Sequence, residues 1–421
     1  MALPKLRFKE FNEGWKSTTI GSFLKIKSGL GFKAEEYTTN EEVRLLQIEN
    51  VGYGSVKWTH NVKYVPQSYL ELHNDLVLKA GDLVLALNRP VTNDQLKIAK
   101  LTELDSPSIL YQRVGKLEFK DKEFDSNFIF QIFQKDVKSY VLNSSIGSDQ
   151  PFISTTDLYK HKLPLPHKEE QTKIASFLSA VDEKINLLTQ KYELLSQYKQ
   201  GMMQKLFSQQ IRFKADDGSE FGEWENKALS NFIIKHIGGA SLTPGDFVEQ
   251  SKYEVIPKKA IVPNGYLNLD KNKPTFCRES FFKANLKNTV DHTYLITVLR
   301  DLVPSGPSIG YIVRYSENKQ YILAQGVYGF KLKEELNKNY LIHFSNTKAY
   351  RLVMQSIMVG STQVHIRNQD FFGVVIPVPC IEEQTQIANF LSAIDQKIAG
   401  VAQQIEQTKQ WKKGLLQQMF V

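Results

Sequence analysis

The sequence predicts an α/β (α+β) architecture of two globular domains, each followed by a long helix, with the helices forming an antiparallel coiled coil of pseudo-twofold symmetry. Three observations predict it. A block of residues recurs without a gap, apolar residues recur at heptad-like spacing through both copies, and the remaining sequence holds short β-rich runs among Gly, Pro and Asn turns.

The composition sets limits on the class of protein. A chain of 421 residues is too long for one ordinary hydrophobic core, so we expect at least two domains. Its 53 Lys and Arg against 45 Asp and Glu give a net charge of +8, which permits a polyanionic partner. Two cysteines exclude a disulfide framework, and no run of about 18 apolar residues predicts a membrane span. We expect a cytoplasmic protein without membrane association.

The repeat is the most informative feature. LPLPHKEEQTKIASFLSAVDEKI (163–185) returns as IPVPCIEEQTQIANFLSAIDQKI (376–398), a shift of 376 − 163 = 213 residues. At the same shift, residues 201–207 resemble 414–420, and Gly-Ser-x-Gln at 147–150 returns at 360–363. Arg-Phe-Lys near the start, at 7–9, is echoed at 212–214. Segments 16–146 and 225–359 show no comparable match, so the chain alternates variable domains with shared helices.

Each shared block begins as extended chain and continues as a helix. The alternating prolines Pro164, Pro166, Pro377 and Pro379 oppose a helix start, and the pairs Glu169-Glu170 and Glu382-Glu383 suit the positive end of a helix dipole. The apolar residues then follow a heptad seam. Its first copy is Ile174, Leu178, Val181, Ile185, Leu188, Tyr192 and Leu195, and its second is Ile387, Leu391, Ile394, Ile398, Val401 and Ile405.

The next seam position is charged in both copies, Lys199 and Lys412. We interpret this as a drift of the apolar stripe, because a straight helix does not keep a strict seven-residue repeat; a functional polar layer is the alternative. Near-verbatim recurrence of Glu-Gln-Thr and Ser-Ala-x-Asp indicates that something besides the partner helix binds these surfaces. A generic coiled coil is the competing interpretation.

The topology predicts four segments. They are a first domain at 1–165, a central spacer helix at 166–209, a second domain at 210–378 and a C-terminal spacer helix at 379–421. A helix of about 39 residues spans roughly 58 Å, long enough to hold two domains apart. Inside the domains, 44–48, 82–87 and 294–299 are predicted strands, and 126–139 and 334–358 are predicted helices.

Basic and polar residues in the domains are candidates for contact with nucleic acid. Arg89 and Arg300 follow apolar strands and could bind a guanine edge, although a loop salt bridge is the alternative. The Gly-Ser-x-Gln loops either contact DNA or form a turn that seats the helix. The candidate set is Lys33, Lys57, Asn88, Arg89, Arg113, Ser148, Gln150, Lys258, Lys259, Arg300, Arg314, Ser361, Gln363 and Arg367.

The sequence carries no legible active site. Ser-Gly-Leu-Gly-Phe-Lys-Ala at 28–34 imitates a G-x-G-x-x-A cofactor loop, but no helical run follows it. Phosphate-binding, zinc-protease and C-x-x-C motifs are missing, as is the Asp/Asn-Pro-Pro-aromatic motif of amino-methyltransferases. We therefore predict no catalytic residue, no metal and no cofactor bound by this chain.

The two shared blocks resemble the two conserved regions of the specificity subunit (HsdS) of type I restriction–modification enzymes. The openings Leu6-Arg7-Phe8 and Ile211-Arg212-Phe213 and the Gly-Ser-x-Gln stretches are also similar to that family. Asn88-Arg89-Pro90 and the segment 301–305 differ from the glycine-rich turn of many members.

The resemblance implies a non-catalytic subunit with two target recognition domains that read an asymmetric, bipartite sequence in double-stranded DNA. It implies assembly with two methyltransferase subunits, which use S-adenosylmethionine to methylate adenine. Two restriction and translocase subunits that use ATP and magnesium would complete the site-specific deoxyribonuclease. The alternative function is a coiled-coil adaptor that joins proteins without DNA specificity.

Overall fold

The computed structural model describes residues 3–144 and 152–420, and these form two compact units. Unit 1 comprises Met1–Thr189 with Gln403–Val421, and unit 2 comprises Gln190–Ala402. The two long helices of the prediction are present, and each contributes one half to each unit. The four segment boundaries stated above remain a prediction, since this division follows packing and cuts both helices.

The helices, in chain order, are α1 (Ile20–Phe23), α2 (Tyr69–Leu72), α3 (Ser126–Ile132), α4 (Lys138–Ser144), α5 (Thr155–Lys160), α6 (Lys168–Phe207), α7 (Glu279–Ala284), α8 (Lys338–Ser345), α9 (Lys348–Ser356), α10 (Asn368–Phe372) and α11 (Ile381–Met419). A π-helical turn, Phe133–Val137, joins α3 to α4. None of the helices in the described ranges is long and apolar enough to cross a membrane.

The strands of unit 1 are β1 (Lys16–Thr19), β2 (Leu24–Ser28), β3 (Val43–Leu46), β4 (Tyr53–Ser55), β5 (Tyr64–Val65), β6 (Val77–Leu78), β7 (Leu83–Ala86), β8 (Val91–Thr92), β9 (Gln95–Leu96), β10 (Ile98–Lys100), β11 (Ser108–Leu110), β12 (Val114–Phe119) and β13 (Lys162–Leu165). They form a five-stranded sheet in the order β2-β12-β7-β10-β4 and a four-stranded sheet in the order β5-β3-β11-β6. β1 pairs with β13, and β8 with β9.

The strands of unit 2 are β14 (Glu225–Ala228), β15 (Ile233–Gly238), β16 (Phe247–Val248), β17 (Val255–Ile256), β18 (Phe276–Cys277), β19 (Thr289–Val290), β20 (Leu295–Val298), β21 (Arg300–Asp301), β22 (Ile312–Val313), β23 (Tyr321–Leu323), β24 (Val327–Leu332), β25 (Val364–His365) and β26 (Val375–Val378). The larger sheets have the orders β15-β24-β20-β22 and β17-β23-β19. The pairs are β14-β26, β16-β18 and β21-β25.

The two units share a topology that their sequences do not reveal. β2-β12-β7-β10 corresponds to β15-β24-β20-β22, and β3-β11-β6 corresponds to β17-β23-β19. In both smaller sheets the central strand pairs parallel to one neighbour and antiparallel to the other. The segments without a detectable match therefore build the same sheet frame.

The core of unit 1 includes the start of one long helix and the end of the other. Ile174, Leu178 and Val181 of α6 are buried in one cluster with Leu415 and Met419 of α11. In unit 2, Met203 and Leu206 from the end of α6 share a core cluster with residues from the start of α11, namely Ile387, Leu391 and Ile394. Unit by unit, these contacts give the helices the antiparallel course that the sequence predicts.

The seam is not uniform along the helices. Its residues at each helix start are at most 5% exposed, whereas Ile185, Leu188, Leu195 and Ile398 are only half-buried. Val401 and Ile405 are buried, and Tyr192 is exposed. The difference arises because the first turns of each helix also pack against their own globular domain, so their burial does not depend on the helix partner alone.

The interpretation of Lys199 and Lys412 as a drifting stripe is wrong. Lys199 Nζ lies 2.6 Å from Asp395, and Lys412 Nζ lies 2.7 Å from Asp182. Each lysine reaches across to the aspartate of the Ser-Ala-x-Asp motif on the other long helix. The seam therefore carries a polar layer in each unit, which was the alternative interpretation.

Most elements predicted inside the domains are present with shorter bounds. Segment 44–48 overlaps β3, segments 82–87 and 294–299 contain β7 and β20, and 126–139 is helical through the π turn. Segment 334–358 is two helices and not one. Asn337 caps α8, and Thr347 starts α9 by accepting a hydrogen bond from Tyr350 N, which interrupts the helix between them.

Candidate nucleic-acid interface

Each long helix is clamped to its own domain by the polar residues that recur. Arg7 donates two hydrogen bonds of 2.7 Å to the buried carboxylate of Glu170. Arg212 does the same to Glu383 at 3.1 and 2.8 Å, and Trp224 Nε1 adds a third donor at 2.8 Å. The arginine near the start of each half and the second glutamate of each helix thus form one interaction.

The neighbouring glutamine of each motif fixes a helix of the domain. Gln171 Oε1 accepts a hydrogen bond from Asp125 N at 3.0 Å, and Gln384 Oε1 accepts one from Asn337 N at 2.8 Å. Asp125 and Asn337 are the N-caps of α3 and α8. The recurring polar residues are therefore bound by groups other than the partner helix, and those groups belong to the adjoining domain.

The aspartate of each Ser-Ala-x-Asp motif contacts two other elements, which are the opposite long helix and a helix of the adjoining domain. Asp182 accepts a hydrogen bond from Gln131 of α3 at 2.8 Å as well as the lysine of the other long helix. In unit 2, His343 of α8 occupies the corresponding place, with Nδ1 3.8 Å from Asp395 and Nε2 3.1 Å from Ser392 Oγ. Burial, followed by the charge of Lys199, lowers the pKa of His343 to about 3.

In unit 1, two candidate residues come together at a junction where the chain leaving β7 meets the turn between β11 and β12. Leu87 N donates to Arg113 O at 2.9 Å, and Ile153 N donates to Leu87 O at 2.8 Å. A shallow cleft of about 440 Å³ is lined there by Leu87, Asn88, Arg113, Phe152 and Ile153. Asn88 and Arg113 thereby share one surface, although they are 113 − 88 = 25 positions apart, and Arg89 follows Asn88 directly in the chain.

Arg89 and Arg113 both have a left-handed backbone conformation, which residues with a Cβ rarely adopt. Arg89 has φ 45° and Arg113 has φ 66°, and both side chains are exposed. A left-handed residue with a Cβ costs roughly 1–2 kcal/mol. Such strain persists where the surrounding fold fixes it, and it concentrates at binding sites. Gly326, at the same place in unit 2, has φ 86° without this cost.

Unit 2 builds the same junction with different side chains. Leu299 N donates to Gly326 O at 3.0 Å, and Ile366 N donates to Leu299 O at 2.9 Å. Lys258 and Arg300 both pack against Gly326, since a Cβ there would come within 2.8 Å of Lys258 Cε and 3.1 Å of Arg300 Cβ. Burial, and then the Arg300 guanidinium, lower the pKa of Lys258. Two cations packed together favour an anionic ligand.

The second Gly-Ser-x-Gln loop lies next to these cations. His365 and Val359 exchange two backbone hydrogen bonds of 2.9 Å, which close the loop, and His365 pairs with Arg300 between β25 and β21. Gly360 has φ 114°, and a Cβ on it would meet Gln363 O at 2.1 Å, so the tight turn requires glycine. Ser361 and Gln363 are exposed. Ser148 and Gln150 of the first loop lie outside the described residues.

The remaining candidates make their contacts elsewhere. Lys33 N donates to Glu36 in a capping box, and the stem of Lys57 packs beside Gly52. Arg314 stacks on the ring of Tyr266 at 5.4 Å. Lys259 lines a separate cleft of about 550 Å³ with Lys271 and Lys273, and Arg367 is exposed ahead of α10. The structure does not join these residues to the two junctions.

The glycine motif that imitates a cofactor loop has a packing role. A Cβ on Gly29 would meet Tyr111 O at 2.4 Å, because the chain after β2 crosses the turn that precedes β12. The motif is followed by a short 3₁₀ turn, Ala34–Glu36, and not by a phosphate-binding helix. In unit 2, a Cβ on the corresponding Gly239 would meet Ala324 O at 1.9 Å.

Comparison with known families identifies the architecture. The profile described as the type I restriction modification DNA specificity domain matches residues 12–197 and again 222–410. The chain belongs to this family of specificity subunits. The two matched regions correspond to the two halves of the internal repeat.

Named specificity subunits share parts of this sequence. The MjaVIII subunit of Methanocaldococcus jannaschii is 38% identical over 211 residues, 50% of this chain and 49% of its own length. The EcoAI subunit of Escherichia coli is 30% identical over 183 residues, 42% of this chain and 30% of its own length. A putative MjaX subunit of M. jannaschii is 30% identical over 292 residues, 67% of this chain and 63% of its own length. The chain thus spans less than two thirds of each of these relatives.

Solved specificity subunits share the fold. The S subunit of a type I system from M. genitalium has a TM-score of 0.59 at 16% identity and covers 100% of this chain and 99% of its own. A chain from a structure on assembly and conformational transition of the type I system has a TM-score of 0.55 at 17% identity, covering 97% of this chain and 98% of its own. At such identities the likeness concerns the fold alone.

Sequence reasoning missed exposed residues of this specificity subunit at the same junctions. Gln112 and Gln325 lie at the centre of the corresponding turns, and both are exposed. Phe152 is 69% exposed beside Asn88, and His365 takes its place in unit 2. Both pairs are related by the repeat shift, 325 − 112 = 213 and 365 − 152 = 213. Aligning the domains at that fixed shift would have found them.

Proposed function

We propose that this chain is the DNA-reading subunit of a type I restriction–modification complex and that it recognises an asymmetric, bipartite target in double-stranded DNA. The junction after β7 in unit 1 and its counterpart after β20 in unit 2 carry the proposal, because the same backbone frame presents different side chains in each unit. Asn88, Arg89 and Arg113 stand in unit 1, and Lys258 and Arg300 stand in unit 2. Cations supply affinity for phosphates, and side chains at base edges supply specificity.

Unlike residues on equivalent frames favour unlike half-sites. A target read by two identical domains would be palindromic, whereas here the position taken by an Asn-Arg pair after β7 in unit 1 is taken by an Arg-Asp pair after β20 in unit 2. We propose that the two clamped long helices, about 60 Å each at 1.5 Å per residue, set the length of the unread spacer. Methylome sequencing of cells that carry this gene with its methyltransferase gene would report both half-sites and the spacer.

Partner subunits would supply the chemistry. We propose that two methyltransferase subunits, which use S-adenosylmethionine, and two restriction and translocase subunits, which use ATP and magnesium, assemble on this chain. An exposed aromatic residue recurs at one position of the repeat, Tyr198 at 51% and Trp411 at 48% exposure, with 411 − 198 = 213. Equivalent exposed aromatics, one in each unit, favour two copies of the same partner.

The test is the binding of the purified complex to its methylated target in a gel shift over a series of salt concentrations. We expect Lys258→Ala and Arg300→Ala to weaken binding and to reduce the salt slope by about one for each phosphate that the variant no longer neutralises. Each variant should still lose affinity when the half-site read by unit 1 is mutated, because the residues of unit 1 are unchanged. Lys283→Ala, an exposed lysine that pairs with Glu279 on α7, is the control. A complex that binds no DNA, or binds all sequences equally, would support the adaptor alternative.

A further inference from the structure

The segment that follows Arg300 exposes two neighbouring aliphatic side chains. Leu302 is 62% exposed and Val303 is 44% exposed, between β21 and β22. Single exposed apolar residues are ordinary on a protein surface. Two in sequence, next to the cationic pair Lys258 and Arg300, form a mixed surface that plain solvent contact does not explain.

Hydrogen bonds within the loop support this apolar tip (Leu302 and Val303). The Asp301 carboxylate accepts hydrogen bonds from Leu302 N and from Ser308 Oγ, both at 2.7 Å. Gly306 N donates to Val303 O at 3.0 Å, which closes the turn behind the tip. The acidic group is thereby occupied inside the loop, and the tip is ordered before a ligand binds.

The tip lies close to a cation along the chain. β21 consists of Arg300 and Asp301 alone, and Leu302 lies in a bend directly after it. Two residues of chain separate the Cα atoms of Arg300 and Leu302 by at most roughly 7 Å. The major groove of DNA is about 8.5 Å deep. An arginine on a phosphate therefore leaves the leucine within reach of base edges.

We propose that the apolar tip of unit 2 enters the major groove and that Leu302 contacts the 5-methyl group of a thymine. That methyl group is the apolar feature by which aliphatic side chains distinguish base pairs in the groove. The proposal rests on the proposed function, since it assumes that unit 2 reads one half-site. It adds an apolar determinant of sequence beside the cations already described.

The experiment replaces each thymine of the unit 2 half-site and its flanks, on both strands and one at a time, by uracil. Binding of the assembled complex is measured for native protein, Leu302→Ala and Leu302→Met. We expect one substitution to weaken native binding about fourfold, the effect of removing one methyl group from an apolar contact. The penalty should disappear in Leu302→Ala and persist in Leu302→Met.

Ile234→Ala is the control, because Ile234 is equally exposed, at 63%, near the opposite end of β15 from the junction. It should show the native uracil penalty. The proposal would be overturned if no uracil substitution weakened native binding, if the half-site contained no thymine, or if the penalty were unchanged in Leu302→Ala. Each of these results would leave DNA recognition by Lys258 and Arg300 intact. A native complex that binds no duplex would instead overturn the proposed function.

Discussion

At the scale of single residues, the two adjacent glutamates at each helix start have different roles. Glu169 and Glu382 are exposed, whereas Glu170 and Glu383 are buried beneath an arginine. A helix dipole attracts both members of each pair in the same way. The arginine that begins each half distinguishes them, because it supplies a two-pronged partner for one carboxylate only.

We expect Glu383→Gln to lower the free energy of unfolding by about 3 kcal/mol, because it leaves Arg212 and Trp224 without their charged acceptor. Glu382→Gln, one residue away and exposed, should change it by less than about 0.5 kcal/mol. Urea denaturation of the two variants and the native chain provides the measurement. Equal losses in both variants would mean that the helix dipole dominates and the clamp contributes little.

The histidine in the polar layer of unit 2 predicts a pH dependence. The folded protein keeps the pKa of His343 at about 3 by burial, while an unfolded chain protonates near pH 6.5. Its contribution to stability is therefore complete above pH 6.5 and falls as the pH decreases toward 3. By pH 5 the loss amounts to about 2 kcal/mol.

His343→Gln places in unit 2 the residue that unit 1 uses, Gln131. We expect the native chain to lose about 2 kcal/mol more than this variant between pH 7 and pH 5, because glutamine does not titrate. Unfolding free energies at the two pH values measure the difference. Parallel pH curves for the variant and the native chain would contradict a buried, neutral histidine.

At the scale of elements, each long helix is bound to its own domain at its start and carries an exposed aromatic residue further along. Their starts are buried in the domains, and Tyr198 and Trp411 stand exposed beside the lysines of the polar layers. Because the lysines are occupied by Asp395 and Asp182, the aromatics remain as the surface that a partner can contact.

We expect Tyr198→Ala and Trp411→Ala each to remove one methyltransferase subunit from the complex, and the double variant to remove both. Truncation of an aromatic at the centre of an interface typically costs about 2 kcal/mol or more. Native mass spectrometry of the assembled complex would give the stoichiometry. Leu72→Ala, at 70% exposure on α2, serves as the control. Two bound partners in the double variant would place the docking surface elsewhere.

At the scale of the whole molecule, the proposed spacing device can be lengthened in register. Leu188 and Val401 are equivalent, since 401 − 188 = 213, and both lie away from the clamped starts. Inserting one heptad after each keeps the seam and the polar layers and adds about 10 Å to each helix.

We expect the lengthened complex to methylate a target whose spacer is longer by about three base pairs, at roughly 3.4 Å each. The half-sites themselves should not change. Methylome sequencing of cells with the native and the lengthened gene compares them directly. Unchanged spacing would contradict the role of the helices as a ruler.

The sequence by itself determined the helices, the repeat and the family. Heptad spacing is a local property, so Ile174 to Leu195 and Ile387 to Ile405 specify a helix whatever surrounds them. Recurrence at 213 residues also marked the Glu-Gln and Ser-Ala-x-Asp residues as more than a seam. The apolar runs before Asn88 and before Arg300 predicted the strands that the structure has as β7 and β20, but they did not predict that Arg300 begins a further short strand, β21.

Only the tertiary structure decided which residues meet. Arg7 and Glu170 are 163 positions apart, and the junction of unit 2 joins Lys258, Arg300 and Gly326 with His365. No periodicity encodes such pairings, because they depend on strand order and on close backbone approach at glycines such as Gly239. The common sheet order of the two domains was likewise invisible in sequence, since many side-chain combinations fill the same frame when apolar burial and volume are kept.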